Sequence, residues 1–185
     1  MLKKTVIGVA LMAASAASFA AARFELTSPD LGTAKAIPER HAFNSFGCTG
    51  ENVSPALSWK NAPAGTKSYA VIVHDPDAKT GAGGFRHWVV VNLPESATGI
   101  ASGSAKMGNS ALPEGGEQIA TDFGAPGWGG PCPPKGEKAH RYQFTVYALK
   151  VEKLDLPQNA SAGLAGFMVN MNSLGKADFV KTYGR

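Results

Sequence analysis

From residue 68 to 74 the chain runs Tyr69, Ala70, Val71, Ile72 and Val73 in unbroken succession before His74. An apolar run this continuous, and too short for a helix, predicts a strand buried on both faces. A second such strand is predicted from His87 to Leu93, rich in valine and stopped by Pro94. From Arg141 to Leu149 the pattern changes, with Tyr142, Phe144 and Val146 alternating with Arg141, Gln143 and Thr145. A period of two predicts a strand covered on one face only. Weaker strand signals run from Arg23 to Thr27, Ala56 to Trp59 and Asp178 to Tyr183. One helix is predicted. Ser161 suits its N-cap, and Leu164, Phe167 or Met168, Met171 and Leu174 recur at helical spacing before Gly175. Those apolar positions are the expected core face, with Met168 and Met171 as packing residues. Between Ile100 and Pro134 periodicity fades and Gly, Pro and Ser dominate. A loop this long in a compact domain is expected to be functional or to wrap a site.

The 22 glycines and 12 prolines fall between short apolar runs, which favours many strands joined by ordered loops. With 185 residues, no internal repeat and no low-complexity linker, a single mostly-β domain with its own core is expected. The N-terminus stands apart. Lys3 and Lys4 precede an apolar stretch from Thr5 to Ala17 that is too short to span a bilayer. Ser18-Phe19-Ala20 and Ala20-Ala21-Ala22 present small residues where a signal peptidase reads. Residues 1–22 are therefore expected to be a cleaved signal peptide, with 23–185 the mature domain, periplasmic or secreted. A retained membrane anchor is the rival reading.

Export alters two further readings. Without Lys3 and Lys4 the 18 basic residues fall to 16 against 14 acidic, a net charge of +2 rather than +4. No Lys/Arg cluster remains to suggest nucleic acid as a partner. Cys48 and Cys132 are the only cysteines, and an exported chain meets an oxidising compartment, so they are expected to pair. Closing so long a loop would stabilise by at most about 4 kcal/mol in the chain-entropy account. Two reduced, buried thiols are the rival reading. Neither cysteine has the Cys-x-x-Cys spacing of a zinc site.

Three polar-aromatic segments abut the strongest strands: His74-Asp75-Pro76-Asp77, Arg86-His87-Trp88, and Pro133-Pro134-Lys135-Gly136 leading to His140-Arg141-Tyr142. Strand ends are where a rigid sheet presents side chains to a ligand. If the three meet, they form a cavity of imidazoles, a phenol, a carboxylate and apolar walls. Such a cavity could serve a metal, a proton transfer or an anion. His74, Asp75, His87 and His140 together could hold a hydrolytic metal. The chain has neither a His-Glu-x-x-His spacing nor a Gly-x-Ser-x-Gly elbow.

Asp75-Pro76-Asp77-Ala78, His87-Trp88-x-Val90-x-Asn92-x-Pro94 and Pro133-Pro134-x-Gly136-x-x-x-His140-Arg141-Tyr142-x-Phe144 resemble the signature blocks of the phosphatidylethanolamine-binding protein (PEBP) family. Asn52-Val53-Ser54-Pro55-Ala56-Leu57-Ser58-Trp59 and Thr121-Asp122-Phe123-Gly124 resemble its bacterial YbhB/YbcL subgroup, the exported type above all. The likeness covers essentially the whole mature chain. It implies a PEBP-like fold with a large antiparallel sheet, a smaller sheet and peripheral helices. It also implies an anion pocket of Asp75, His87, Pro134, His140 and Tyr142, taking phosphate-type groups or phospholipid headgroups with no cofactor and no metal. A binding protein rather than an enzyme is the expected function. A metal-dependent hydrolase or a pure interaction module are the alternatives. Eukaryotic members inhibit kinases (the Raf kinase inhibitor-like role), which transfers poorly to an exported bacterial chain. A protein partner at the loop from Ile100 to Pro134 and a homodimer are further implications of the family, carried by no residue pattern here.

Chemically, His87 and His140 can donate hydrogen bonds and titrate near pH 6.5, Tyr142 adds a phenol, and Pro134 shapes a wall without an N–H. Asp75 would repel a phosphate, so it is expected either to fix a histidine's tautomer or to accept from an ammonium group. Asp77 and Arg141 are expected to pair and clamp two loops together. Trp88 is expected to point away from His87 into the core. His41 and His74 are expected at the surface or in loops. Lys79 stands where relatives usually carry proline and Gly81-Ala82-Gly83-Gly84 follows, so this loop is expected to be mobile. Cys132 stands where many relatives have glycine, so a bridge to Cys48 would tether the proline wall.

Overall fold

In the computed structural model, which describes residues 22–81, 83–108 and 111–185, the three strongest sequence patterns become the middle of one sheet. The predicted signal peptide lies outside the described residues except for Ala22. In chain order the elements are β1 (Glu25–Thr27), β2 (Leu57–Lys60), β3 (Ser68–Asp75), β4 (Phe85–Pro94), β5 (Gly99–Ile100), β6 (Glu117–Gln118), β7 (His140–Leu149), α1 (Ala162–Asn172) and β8 (Ser173–Tyr183). A single 3-10 turn covers Glu39–His41. The large sheet is antiparallel with strand order β6-β4-β3-β7-β8, and the small one runs β1-β2-β5. This is the mostly-β, two-sheet architecture that the sequence implies.

The central strands are buried on both faces, as their unbroken apolar runs require. On one face Val71, Val73, Trp88, Val90, Phe144 and Val146 form a core with Leu26, Leu57 and Trp59 of the small sheet and with Trp128. On the other, Ala70, Ile72, Val89, Val91 and Leu149 pack against α1. Lys181 of β8 reaches across the first core, where its ammonium donates to the carbonyls of Gly32 (2.7 Å) and Ala34 (2.6 Å). That buried cation ties the segment after β1 to the sheet edge.

The helix begins as expected, with the Ser161 hydroxyl accepting from the amide of Leu164. Its buried face does not match the expectation. Ala162, Ala165 and Val169 face the sheet, whereas Phe167 and Met171 are 60 % and 61 % exposed and Leu164 is also exposed. Met168 is partly buried against the same core. Both sides of this helix are apolar, so periodicity could not choose between them. Small alanines allow the helix backbone to approach the sheet, and that closeness decided the face. The helix also stops at Asn172, three residues before Gly175, because Ser173 turns extended and starts β8 directly. Leu174, expected in the helix, belongs to that strand. Among its described residues, the segment from 100 to 134 is irregular apart from Ile100 and the two residues of β6.

Two bulges interrupt the β3–β4 ladder. One centres on Asn92, whose φ of 58° is the left-handed conformation asparagine tolerates. The other separates the pairs Val73↔Trp88 and His74↔Arg86, leaving His87 as the extra residue. Because of it, His87 and Trp88 lean to the same face of the sheet, His87 into a cavity and Trp88 into the core beside it. Strict alternation would have sent them to opposite faces, so the expected opposition of His87 and Trp88 is corrected by the bulge.

Candidate functional site

The end of β3, the start of β4 and the start of β7 lie side by side, since antiparallel pairing places Asp75 opposite Phe85 and His74 opposite Gln143. The three sequence segments therefore converge on one cavity of about 470 Å³. Asp75, His87, Pro134, His140 and Tyr142 all line it.

Asp75 takes the first of its two expected roles. Its Oδ1 accepts from the backbone amides of Asp77 (2.8 Å) and Ala78 (3.1 Å), closing a turn around Pro76. Its Oδ2 lies 2.7 Å from His140 Nδ1, both side chains nearly inaccessible. Burial alone would disfavour the imidazolium of His140. The hydrogen bond and charge of Asp75, helped by Glu137, outweigh it and hold the His140 pKa above the ordinary histidine value.

His87 is tuned the other way. Burial pushes its pKa down to about 4 against the opposing effect of the hydrogen bond it donates to the Gly129 carbonyl. Its Nδ1 lies 2.7 Å from the carbonyl of Gly129, which can only accept, so Nδ1 carries the proton. In the neutral ring Nε2 is then an acceptor. The two imidazoles that the sequence treated alike are tuned in opposite directions, His140 towards the charged form and His87 towards the neutral one.

Tyr142 forms the floor, edge-on to His87 with ring centroids 5.1 Å apart. It is 1 % exposed, and its hydroxyl, closed off from solvent, interacts with the Asp75 carboxylate. Burial first, and the neighbouring carboxylate of Asp75 second, raise its pKa, so the phenol stays protonated and remains a donor.

The walls are cross-tied. Cys48 and Cys132 form the expected disulfide, with Cα atoms 6.0 Å apart, and Cys132 lines the cavity next to Pro133 and Pro134. Arg185 adds a brace, donating through Nε to the carbonyl of Pro133 (2.8 Å) and through Nη1 to that of Gly47 (2.7 Å). Arg141 and Asp77 pair as expected, with Nη2–Oδ1 at 2.7 Å and Nε–Oδ2 at 2.9 Å, while the Arg141 amide also donates to Asp77. The Arg141 guanidinium holds the Asp77 carboxyl down at about 2. Because the arginine side chain is 61 % exposed, water screens the pair, and its fork geometry aligns the two loops more than it stabilises the fold.

Other residues of the site were not singled out as site residues from sequence. Phe46, Phe85 and Phe123 make an aromatic mouth, with Phe123 stacked on Phe43 at 4.6 Å and edge-on to Phe85 at 4.7 Å. A side chain at Gly129 would collide with the Phe123 ring, so that glycine seats the aromatic. Glu137 bridges His140 Nε2 (3.4 Å) and Lys79 Nζ (3.2 Å) at the cavity entrance. Phe123 and Glu137 both lie within or between the quoted motifs. Only their positions in space mark them as lining.

Of the two remaining histidines, His41 departs from expectation and His74 lies at the surface as expected. His41 is fully buried rather than at the surface, its Nδ1 2.7 Å from the Val53 carbonyl, and burial lowers its pKa. His74 lies on the opposite sheet face, its Nε2 2.9 Å from the Gly83 carbonyl, and lines a separate cleft beside α1. His74, Asp75, His87 and His140 therefore do not converge. Among the described residues no group of three or more His, Cys, Asp or Glu side chains is arranged to hold a metal.

Two packed antiparallel sheets, one flanking helix and a histidine–carboxylate–proline cavity at the strand ends define a β-sheet binding fold of one particular kind. The model of the phosphatidylethanolamine-binding protein family matches residues 27–184, and the chain belongs to that family. It is similar to YbcL of Escherichia coli, 44 % identical over 180 residues, covering 97 % of this chain and 98 % of that one. YbhB of the same organism is 46 % identical over 159 residues, covering 86 % and 99 %. LppC of Mycobacterium tuberculosis, by its name a candidate lipoprotein, is 37 % identical over 164 residues, covering 89 % and 74 %. The crystal structure of YbcL superposes with a TM-score of 0.84 over 89 % of this chain and 99 % of that one. A family homologue from Chlamydia trachomatis follows at 0.72, 28 % identical, covering 88 % and 97 %.

Proposed function

We propose that the protein is an exported binding protein whose cavity takes a small phosphate-type anion, free or as the headgroup of a phospholipid. The observation that carries this reading is the His140 imidazole in the cavity, which Asp75 orients at 2.7 Å and whose pKa Asp75 and Glu137 raise, favouring the positively charged form. The phenylalanines of the mouth suit the apolar remainder of a lipid or ester. Binding rather than turnover is favoured because the nitrogens of His140 are both held by carboxylates and Nδ1 of His87 by a carbonyl. Export is supported by the N-terminal pattern, by the disulfide and by a relative named as a lipoprotein.

Titration calorimetry with inorganic phosphate and with phosphoethanolamine tests the site. Tyr142→Phe keeps the ring that floors the cavity, whereas His140→Ala removes the donor that Asp75 orients and should weaken binding roughly 10- to 100-fold. Affinity should fall as pH rises through the raised pKa of His140, the imidazolium being the form that attracts the anion. Binding unchanged in His140→Ala would sink the proposal. Fractionation of cells expressing the full chain tests export, with processed protein expected outside the cytoplasm.

A further inference from the structure

The cavity already holds an anion of its own. Glu137 extends one carboxylate between the two donors at the entrance, Oε2 at 3.4 Å from His140 Nε2 and Oε1 at 3.2 Å from Lys79 Nζ. Lys79 comes from the loop after β3 and Glu137 from the loop before β7, so the contact crosses the mouth. The remaining charges nearby are spoken for or turned outward. Asp75 holds the other nitrogen of His140, Asp77 is bound to Arg141, and Lys138 is exposed beside them.

We propose that Glu137 is the specificity-determining residue of this cavity, a tethered competitor that an incoming anion must displace from His140 and Lys79. This rests on the anion reading above. Displacement is sterically easy. Glu137 follows Gly136, whose φ of 83° places it in a tight turn, and its side chain is 36 % exposed. It can therefore rotate into water without disturbing the core. Being tethered, it competes at an effective concentration of roughly millimolar or more. A free monocarboxylate offers the same group with the same charge and gains nothing by exchange. A phosphate-type dianion brings a second charge and further oxygens for Lys79 and His140. Self-competition thus selects doubly charged oxyanions over carboxylates.

Calorimetry at neutral pH with inorganic phosphate and acetate, on the wild-type protein and Glu137→Gln, tests the inference. The wild type should bind phosphate and not measurably bind acetate. Glu137→Gln should bind phosphate about tenfold more tightly, as expected when a like charge a few ångströms away is removed, and should acquire measurable acetate binding. Phosphate binding that is equal or weaker in the variant overturns the role of Glu137 while leaving the anion site standing. No phosphate binding by either protein overturns both. An independent readout needs no ligand: the His140 pKa, followed by NMR, should fall in Glu137→Gln. An unchanged pKa would show that the contact does not operate in solution, whatever phosphate does.

Discussion

The carboxylate of Asp75 is the residue on which the site's electrostatics turn. With both oxygens engaged, it orients His140, raises that ring's pKa and leaves no role for itself as a direct ligand. Asp75→Asn would remove the charge that a nearly inaccessible imidazolium depends on. Stability should fall by about 3–5 kcal/mol, the cost of orphaning one member of a buried pair. Urea denaturation measures this, and NMR should show the His140 pKa dropping in the folded variant. The two imidazoles also pull stability in opposite directions with pH. His140, its folded pKa raised, stabilises most at pH below about 6.5, and that contribution disappears as pH rises through the folded value. His87, its folded pKa lowered to about 4, stabilises fully above about 6.5 and loses that contribution as pH falls toward 4. Wild-type stability should therefore decline between pH 6.5 and 4 by up to about 3 kcal/mol on account of this residue. His87→Gln, which can still donate to the Gly129 carbonyl, should flatten that part of the curve. A curve of the same slope in both proteins would remove His87 as the cause.

At the scale of elements, the site depends on where strands end and where one of them bulges. The motif positions were legible because prolines, aspartates and histidines interrupt apolar runs that are long enough to be recognised as strands. The bulge at His87 was not legible. An extra residue is defined only by the partner strand, so no pattern within Phe85–Pro94 announces it. Helix α1 illustrates the same limit. Leu164, Phe167 and Met171 form a regular stripe, yet the alanine side packs on the sheet. This yields a clear contrast for mutagenesis. Ala165→Leu should overpack the helix–sheet contact and cost about 1–3 kcal/mol. Phe167→Ser, on the exposed side, should change stability by no more than about 0.5 kcal/mol. Urea midpoints in the reverse order would place the helix with its other face inward.

Across the whole molecule, the cavity is held by ties between segments far apart in the chain. The disulfide links positions 84 residues apart, and Arg185 at the C-terminus braces the loops carrying Pro133 and Gly47. Cys48→Ser combined with Cys132→Ser should lower stability by up to about 4 kcal/mol. Added reductant should do the same to the wild type and leave the double variant unaffected, as read by denaturant midpoints. The sequence alone determined the mostly-β class, the central strands, the helix start and the pairing of the cysteines, which rest on local pattern and residue chemistry; the five residues that line the cavity were implied by the likeness of its ordered blocks to a known family. The structure alone decided that the His140 and His87 pKa values are shifted in opposite directions, that His74 is excluded, and that Glu137 stands between Lys79 and His140. Each of these depends on burial and on distances of a few ångströms between residues brought together by strand pairing, and linear spacing carries no record of either.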